Sequence, residues 1–194
     1  MQKTIVKRPF RPVYPSPAAL IVSIDENKKP NIMAAGEVFN IGLKNPSIIG
    51  IALRKATYTH SLITKTRQFT ANFPTVAILD KVDLVGTISG RDGLDKFSEY
   101  GLTPLKSSVL DAPIIEECPL NLECKVLNIS EVGDHDLFLG EVLVMHVDAD
   151  KLDEEKQQVI IEKVDGFLFA EWQYYRIGEK LGDLRFTRKA KPGV

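Results

Sequence analysis

The sequence predicts a mainly β protein, a β-barrel with inserted helices. Three observations point there. Short apolar runs with strand character recur along the chain, helical spacing of apolar residues shows at only two or three places, and no strand–helix–strand alternation persists. Internal repeats and low-complexity tracts are absent, which removes solenoids and propellers.

Residues 1–17 hold four of the eleven prolines and read as an irregular lead along the surface. Residues 18–24 are an apolar strand rich in Ile and Val, residues 25–30 a polar turn, and residues 31–39 a second strand, which together make a hairpin. A turn at residues 44–47 leads into a strand over 48–53, and a helix follows over about 59–66. Residues 68–73 suit another strand, stopped by Pro74. Val76, Ile78, Leu79, Val82 and Val85 recur at helical spacing, which predicts a helix over 76–86, and a loop follows over 86–93. Asp95 then opens a short helix closed by Gly101. Residues 119–132 and 137–147 are two long strands joined through Gly133, Asp134, His135 and Asp136 as a hairpin. Residues 153–158 are charged and helix-prone, and the aromatic stretch 167–175 has no clear period. The division expected is a lead over 1–17, a barrel domain over 18–150, and a C-terminal extension over 151–194 that packs on the barrel or on a partner copy.

A chain of 194 residues suits one sizeable core domain with a small appendage. Its 44% hydrophobic and 26% charged residues are those of a globular protein. The net charge of −1, with Lys and Arg spread along the chain, argues against a nucleic-acid partner, which selects for a basic stripe. Apolar runs such as residues 18–22 are far shorter than the roughly 20 residues of a membrane helix, and the N-terminus carries no apolar signal core, so a cytoplasmic protein is expected. Cys118 and Cys124 make neither a disulfide framework nor a zinc site. Six residues apart on one strand they would lie about 20 Å from each other, too far to bridge, and both read as buried thiols. No metal site, serine nucleophile elbow or Walker loop is present, and the stretch 88–93 lacks a P-loop's Gly-Lys-Ser ending.

The stretch 54–61, Arg-Lys-Ala-Thr-Tyr-Thr-His-Ser, carries the chemistry. It follows the strand 48–53 and opens a helix whose first amides have no internal partner. Hydroxyls at Thr57, Thr59 and Ser61 can cap that helix, its dipole favours an anion, and Arg54 and Lys55 add two cations. An ordinary capped helix beside two solvated basic residues fits the same residue types.

The order and spacing of three stretches resemble the flavin reductase-like, FMN-binding split-barrel proteins, in particular their flavoredoxin branch. The first is Asn31 to Glu37 followed by Asn45-Pro46-Ser47, where the family has a small-residue stretch and then an Asn- or Asp-Pro-Pro turn. The second is the stretch 54–61 followed by Phe69-Thr70-Ala71-Asn72-Phe73, where the family has a Thr-containing helix start and a Phe-x-Val-Asn strand. The third, 133–142, is close to the family's Gly-Asp-His-x-x-hydrophobic-hydrophobic-Gly-x-Val signature. This chain departs in the small-polar pair near Gly36 and Glu37 and in Ser47, which stands for the second proline. The resemblance covers about residues 15–150.

The resemblance implies a Greek-key FMN-binding split barrel that acts as an oxidoreductase, with FMN, or FAD, held in a groove between the two subunits of a homodimer. It implies that Arg54, Lys55, Thr59, His60 and Ser61 hold the phosphate and that Ala34, Ala35 and Gly36 let the backbone approach the ring edge, with Glu37 near the ring. Asn31 and Asn72 either bond the ribityl chain or ring, or bond their own backbone. Lys96 either reaches the phosphate or is an ordinary helix lysine. His135 would sit near the docking place of a nicotinamide or substrate, and His146, inside an apolar strand, reads as structural. Trp172 and Tyr175 either cover the flavin or pack a core or interface. Two activities follow: hydride transfer from NAD(P)H to FMN and on to an acceptor, or electron carriage between redox protein partners. A barrel that binds without redox turnover is the remaining reading.

Overall fold

The computed structural model of the chain describes residues 3–5, 12, 13 and 15–188. The elements, in chain order, begin with β1 (Ser16–Pro17), β2 (Ala19–Ile24), β3 (Pro30–Ala35), β4 (Val38–Leu43) and β5 (Ser47–Arg54). Helix α1 (Tyr58–Thr66) follows, then β6 (Gln68–Phe73), α2 (Leu79–Thr87) and α3 (Lys96–Tyr100). Two short strands, β7 (Pro104–Leu105) and β8 (Ile114–Ile115), precede the long hairpin β9 (Leu120–Val132) and β10 (His135–Val147). The C-terminal part holds β11 (Leu152–Asp153), β12 (Gln158–Val159), α4 (Ile161–Val164), β13 (Phe167–Ala170) and β14 (Gln173–Arg176).

Seven strands form one antiparallel sheet in the order β3-β2-β6-β9-β10-β5-β4. A flat sheet of that width would hold its edges about 29 Å apart. Yet the two edge strands are consecutive in sequence, joined only by Gly36 and Glu37, and the steps from Ala35 to Val38 span at most about 11 Å. The sheet therefore curls until its edges meet, while β3 and β4 remain without a ladder between them. The result is a barrel split along one seam.

All seven strands feed the interior, with Ile21, Ala35, Val38, Ile51, Phe69, Cys124 and Phe138 in one buried cluster. Ile63 of α1 joins it. A second cluster lies outside the barrel wall, where Leu20, Val22 and Ile32 meet Val82 and Val85 of α2 and Phe97 of α3. Strand β2 is thus covered on both faces, which is why all six of its residues are buried and why it reads as an unbroken apolar run. Gly140 of β10 is required by the interior, since a Cβ there would stand 2.7 Å from the Phe69 ring.

Several sequence expectations change at their edges. The strand expected over 31–39 is two strands, broken at the seam by Gly36 and Glu37. The helix expected over 76–86 starts as a 3-10 turn, Val76–Ile78, before α2. The long hairpin turns on Gly133 and Asp134 alone, so His135 and Asp136 belong to β10. The charged stretch 153–158 is not helical and turns between β11 and β12. Its Asp153 caps the turn by accepting from the Lys156 amide at 3.0 Å.

The proline-rich lead is not wholly irregular. Ser16 and Pro17 pair with Phe169 and Leu168 of β13, and β13 with β14, which ties the C-terminal extension to the lead. Phe167 enters the outer cluster, so the extension packs on the barrel. Cys124 lies in the inner cluster and Cys118 in the outer one, ahead of β9, and burial pushes both thiols well above the ordinary range. Among the described residues no helix is long and apolar enough to cross a membrane.

Candidate functional site

Helix α1 begins where β5 ends. Thr57 has extended backbone, its hydroxyl donates to the Arg54 carbonyl at 2.9 Å, and its oxygen accepts from the His60 amide at 3.3 Å, an N-cap. Beside this helix start is a cavity of about 350 Å3, lined by Thr57, Thr59, Asn31, Ser89, Gly90 and Lys96 among others. The floor is β3, and the far wall is the loop between α2 and α3.

The side chains there are set for an anion with a donor-rich neighbour. Thr59 is buried, and its hydroxyl oxygen accepts from Asn31 Nδ2 at 2.9 Å, which leaves the Thr59 proton to be donated elsewhere. Asn31 is 7% exposed, and its Oδ1 is buried with no hydrogen-bond partner. An orphaned acceptor of this kind costs free energy until a donor meets it. Lys96 is 4% exposed and donates to the Val85 carbonyl at 2.8 Å, in the last turn of α2 where carbonyls lack helical partners. Burial lowers its pKa to about 8. The cavity thus lies between the amide end of α1 and the carbonyl end of α2, with Lys96 neutralising the latter.

The α2–α3 loop lies close against this floor. A Cβ on Gly90 would stand 2.0 Å from Asn31 Oδ1, so only glycine fits. Arg91 Nη2 donates to the Ala56 carbonyl at 3.1 Å, and Lys29 Nζ to the Gly93 carbonyl at 3.0 Å, which bind the loop to the helix start and to the β2–β3 turn.

Two further cavities adjoin the first along β3. Ala34 and Gly86 are shared with a slot of about 170 Å3, whose walls are small residues on one side and Phe169 and Tyr174 on the other. Gly36 is shared between that slot and an apolar cavity of about 810 Å3 beyond the seam, lined by residues such as Phe39, Phe73 and Met145. A polar end, a narrow waist and an apolar end follow one another along a single strand.

Of the residues expected here, Asn31, Thr59 and Lys96 meet at the polar end and Ala34, Ala35 and Gly36 at the waist, while Glu37 lines the apolar cavity. The others are placed differently. Lys55 turns to the long hairpin, with Nζ 2.7 Å from Glu131 and 3.5 Å from Asp136. Arg54 pairs in register with His135 and lines none of the three cavities. His60 sends Nε2 to Asp136 Oδ2 at 2.8 Å and packs edge-on to Phe138, and that hydrogen bond holds the Asp136 carboxyl below its ordinary range. Ser61 donates to the Tyr58 carbonyl at 2.7 Å and borders a separate cavity beside Asp25 and Glu26.

The reason is helical geometry: Thr59 and Ser61 are about 200° apart around the axis and cannot face one ligand. Asn72 is fully buried, donating to the Leu20 carbonyl and accepting from the Ile115 amide and Asn121, so its amide is spent on the barrel. His135 borders none of the three cavities, and its Nδ1 lies 2.7 Å from Asp134. Trp172 and Tyr175 are exposed and border none of them either. Ser89, Gly90, Phe169 and Tyr174 escaped the sequence reading. Only the pairing of small residues with a tight turn at 89–90 hinted at the first two, and nothing local marked the aromatic pair.

A barrel split at a small-residue seam, with a polar cavity beside a capped helix, defines the class to which this fold belongs. The chain belongs to the family of the flavin reductase like domain, whose model matches residues 10–178. It is similar to the flavoredoxin of Desulfovibrio vulgaris (Miyazaki F), with 35% identity, a TM-score of 0.87, and coverage of 97% of this chain and 100% of that one. A flavoredoxin from Methanosarcina acetivorans matches at 29% identity and a TM-score of 0.86, covering 98% of each chain. An FMN-binding protein from Thermus thermophilus matches at 25% identity and 0.76, covering 94% of this chain and 99% of that one.

Proposed function

We propose that the chain binds FMN, with the phosphate in the cavity of Thr57, Thr59, Gly90 and Lys96 and the ring along Ala34, Ala35 and Gly36, and that it works as an NAD(P)H-dependent flavin oxidoreductase. The observation that carries this reading is the polar end itself. Thr59 has a proton to give and Lys96 a buried charge to share. A bound flavin supplies the hydride-accepting ring. The protein's own residues hold and orient it: the free amides of α1 meet the phosphate, Lys96 balances its charge, and the apolar walls near the seam exclude water from the ring.

The likeness to two flavoredoxins over almost the whole chain supports a second reading, an electron carrier between redox proteins. Exposed Phe39 on β4 and Met145 on β10, which line the apolar cavity, with exposed Ile41 and Leu43 further along β4, support pairing of two copies. A role for His135 over the ring then rests on the partner's copy of the hairpin.

Purified protein separates the readings. A flavin absorption band that bleaches within seconds of adding NADH or NADPH without oxygen is the expected result. Bleaching by a reduced ferredoxin but by neither nicotinamide assigns the carrier. Protein that takes up no FMN by titration overturns both.

A further inference from the structure

We infer that Asp136 and His60 are positioning residues for the flavin phosphate: their hydrogen bond fixes the first turn of α1 so that Thr59 presents its hydroxyl to the polar cavity. This rests on the flavin reading above and adds to it a residue, Asp136, that lines none of the three cavities.

The apolar anchors of α1, Leu62 and Ile63, come after the part of the helix that meets a phosphate. The first turn, from Tyr58 to Ser61, is braced by side-chain hydrogen bonds instead. Asn31 Nδ2 of β3 donates to Thr59 Oγ1 at 2.9 Å, and His60 Nε2 stands 2.8 Å from Asp136 Oδ2 of β10. An ionised carboxylate only accepts, so Nε2 is the donor. In the sheet, β3 is an edge and β10 lies four strands further along, so the two bonds tie the turn to well-separated parts of the barrel. Thr59 and His60 point about 100° apart around the helix axis, and a roll of the turn that kept one bond would break the other. With both made, one rotation remains.

Asp136 is a costly way to hold a helix. It is buried, and its Oδ1 makes no hydrogen bond, with Lys55 Nζ 3.5 Å away. His60 already packs edge-on to Phe138, 5.1 Å between centroids at 84°, so an apolar grip on the helix exists without the carboxylate. An apolar pair at 60 and 136 would hold α1 down at no desolvation cost. What the carboxylate adds is direction, because a hydrogen bond sets the angle of the imidazole and with it the rotation of the turn that carries Thr59.

The test uses the full chain and compares its affinity for FMN with that for riboflavin, which lacks the phosphate. Asp136→Ala should lower the preference for FMN over riboflavin by about fivefold, and Asp136→Asn, whose amide oxygen still accepts from Nε2, should keep it within about twofold of wild type. In a Thr59→Ala background, Asp136→Ala should change FMN affinity by less than about twofold, since a residue that acts through Thr59 has nothing left to position. Where Asp136→Ala does not fold, His60→Phe with Asp136→Val removes both partners, keeps a ring on Phe138, and should lower the preference by the same factor. Equal loss of FMN and riboflavin, an Asp136→Asn variant as weak as Asp136→Ala, or additive effects of Thr59→Ala and Asp136→Ala each overturn this inference and leave the flavin reading standing. Wild-type protein that binds no FMN overturns the flavin reading, and the positioning role falls with it.

Discussion

Replacing Lys96 with Met should make the empty protein more stable at neutral pH and the loaded one weaker. Lys96 is 4% exposed, and among the described residues it hydrogen-bonds the Val85 carbonyl alone. Its pKa falls from 10.5 to about 8 because burial disfavours the charge. Between those two values the unfolded chain binds more protons than the folded one, so folding stability rises with pH across that window, and below about 8 the whole cost of the buried charge is present. At 1.36 kcal/mol per pH unit the gap amounts to about 3 kcal/mol. Met removes that cost but leaves the Val85 carbonyl without its partner, a loss of about 1–2 kcal/mol. Lys96→Met should therefore gain about 1–2 kcal/mol at pH 7, and at pH 10.5, where the lysine is already half neutral when unfolded, the order should reverse.

Urea unfolding of flavin-free protein at both pH values measures this directly. Flavin titrations supply the other half: FMN affinity should drop by about 10- to 100-fold in the variant, the loss of a charge-assisted bond, while riboflavin, which has no phosphate, changes little. In the wild type, FMN affinity should fall as pH rises through the bound-state pKa of Lys96, which the phosphate lifts above about 8. A variant equally destabilised at both pH values, or one that loses FMN and riboflavin alike, refutes the reasoning.

Three more expectations concern single positions. Thr59→Ala should weaken FMN binding about tenfold by calorimetry whereas Ser61→Ala should leave it unchanged, because the Ser61 hydroxyl is spent on the Tyr58 carbonyl. Gly90→Ala must push Asn31 off Thr59, since the new Cβ would be 2.0 Å from Asn31 Oδ1, so FMN affinity should fall about tenfold, and wild-type affinity in that variant would show the loop is slack. Glu123 is fully buried and accepts from the amides of Ser108, Val109 and Leu110 and from His146. Burial raises its pKa, but these bonds outweigh that and hold it below the ordinary range. Glu123→Gln turns one acceptor into a donor facing amides and should cost about 2–4 kcal/mol in denaturant unfolding at pH 7; the wild-type contribution is complete above the ordinary carboxylate range and is lost as pH falls below it.

The barrel was legible because its strands carry their own punctuation. Asp25 caps a turn, accepting from the amides of Asn27 and Lys29, Pro74 stops β6, and Gly133 takes a positive φ in the tightest turn of the sheet, all local chemistry that a sequence displays. The seam was not, because a Gly-Glu pair between apolar residues fits a continuing strand as well as a strand end. What splits the run is the closing of the sheet, a long-range event set by strand order.

The same divide runs through the site. That residues 54–61 hold a capped helix start followed from hydroxyls beside a strand end, and Thr57 is that cap. Which side of the helix meets the ligand does not follow from composition, yet it follows from angle. Once Thr59 is placed against Asn31, a step of 100° swings His60 toward Asp136 on β10, and another carries Ser61 to the carboxylates of the β2–β3 turn. Arg54 and Lys55 precede the helix and leave along the strand direction, which takes Lys55 to Glu131 across the sheet. Of the cations expected at the site, only Lys96 lines the cavity at the start of α1; it lies 41 positions downstream of Lys55, in a five-residue helix, and donates to the carbonyl end of α2. A buried lysine with one partner is the residue whose removal separates a phosphate site from a structural cap, and the opposite signs expected for stability and for FMN affinity in Lys96→Met are what a cap alone would not produce.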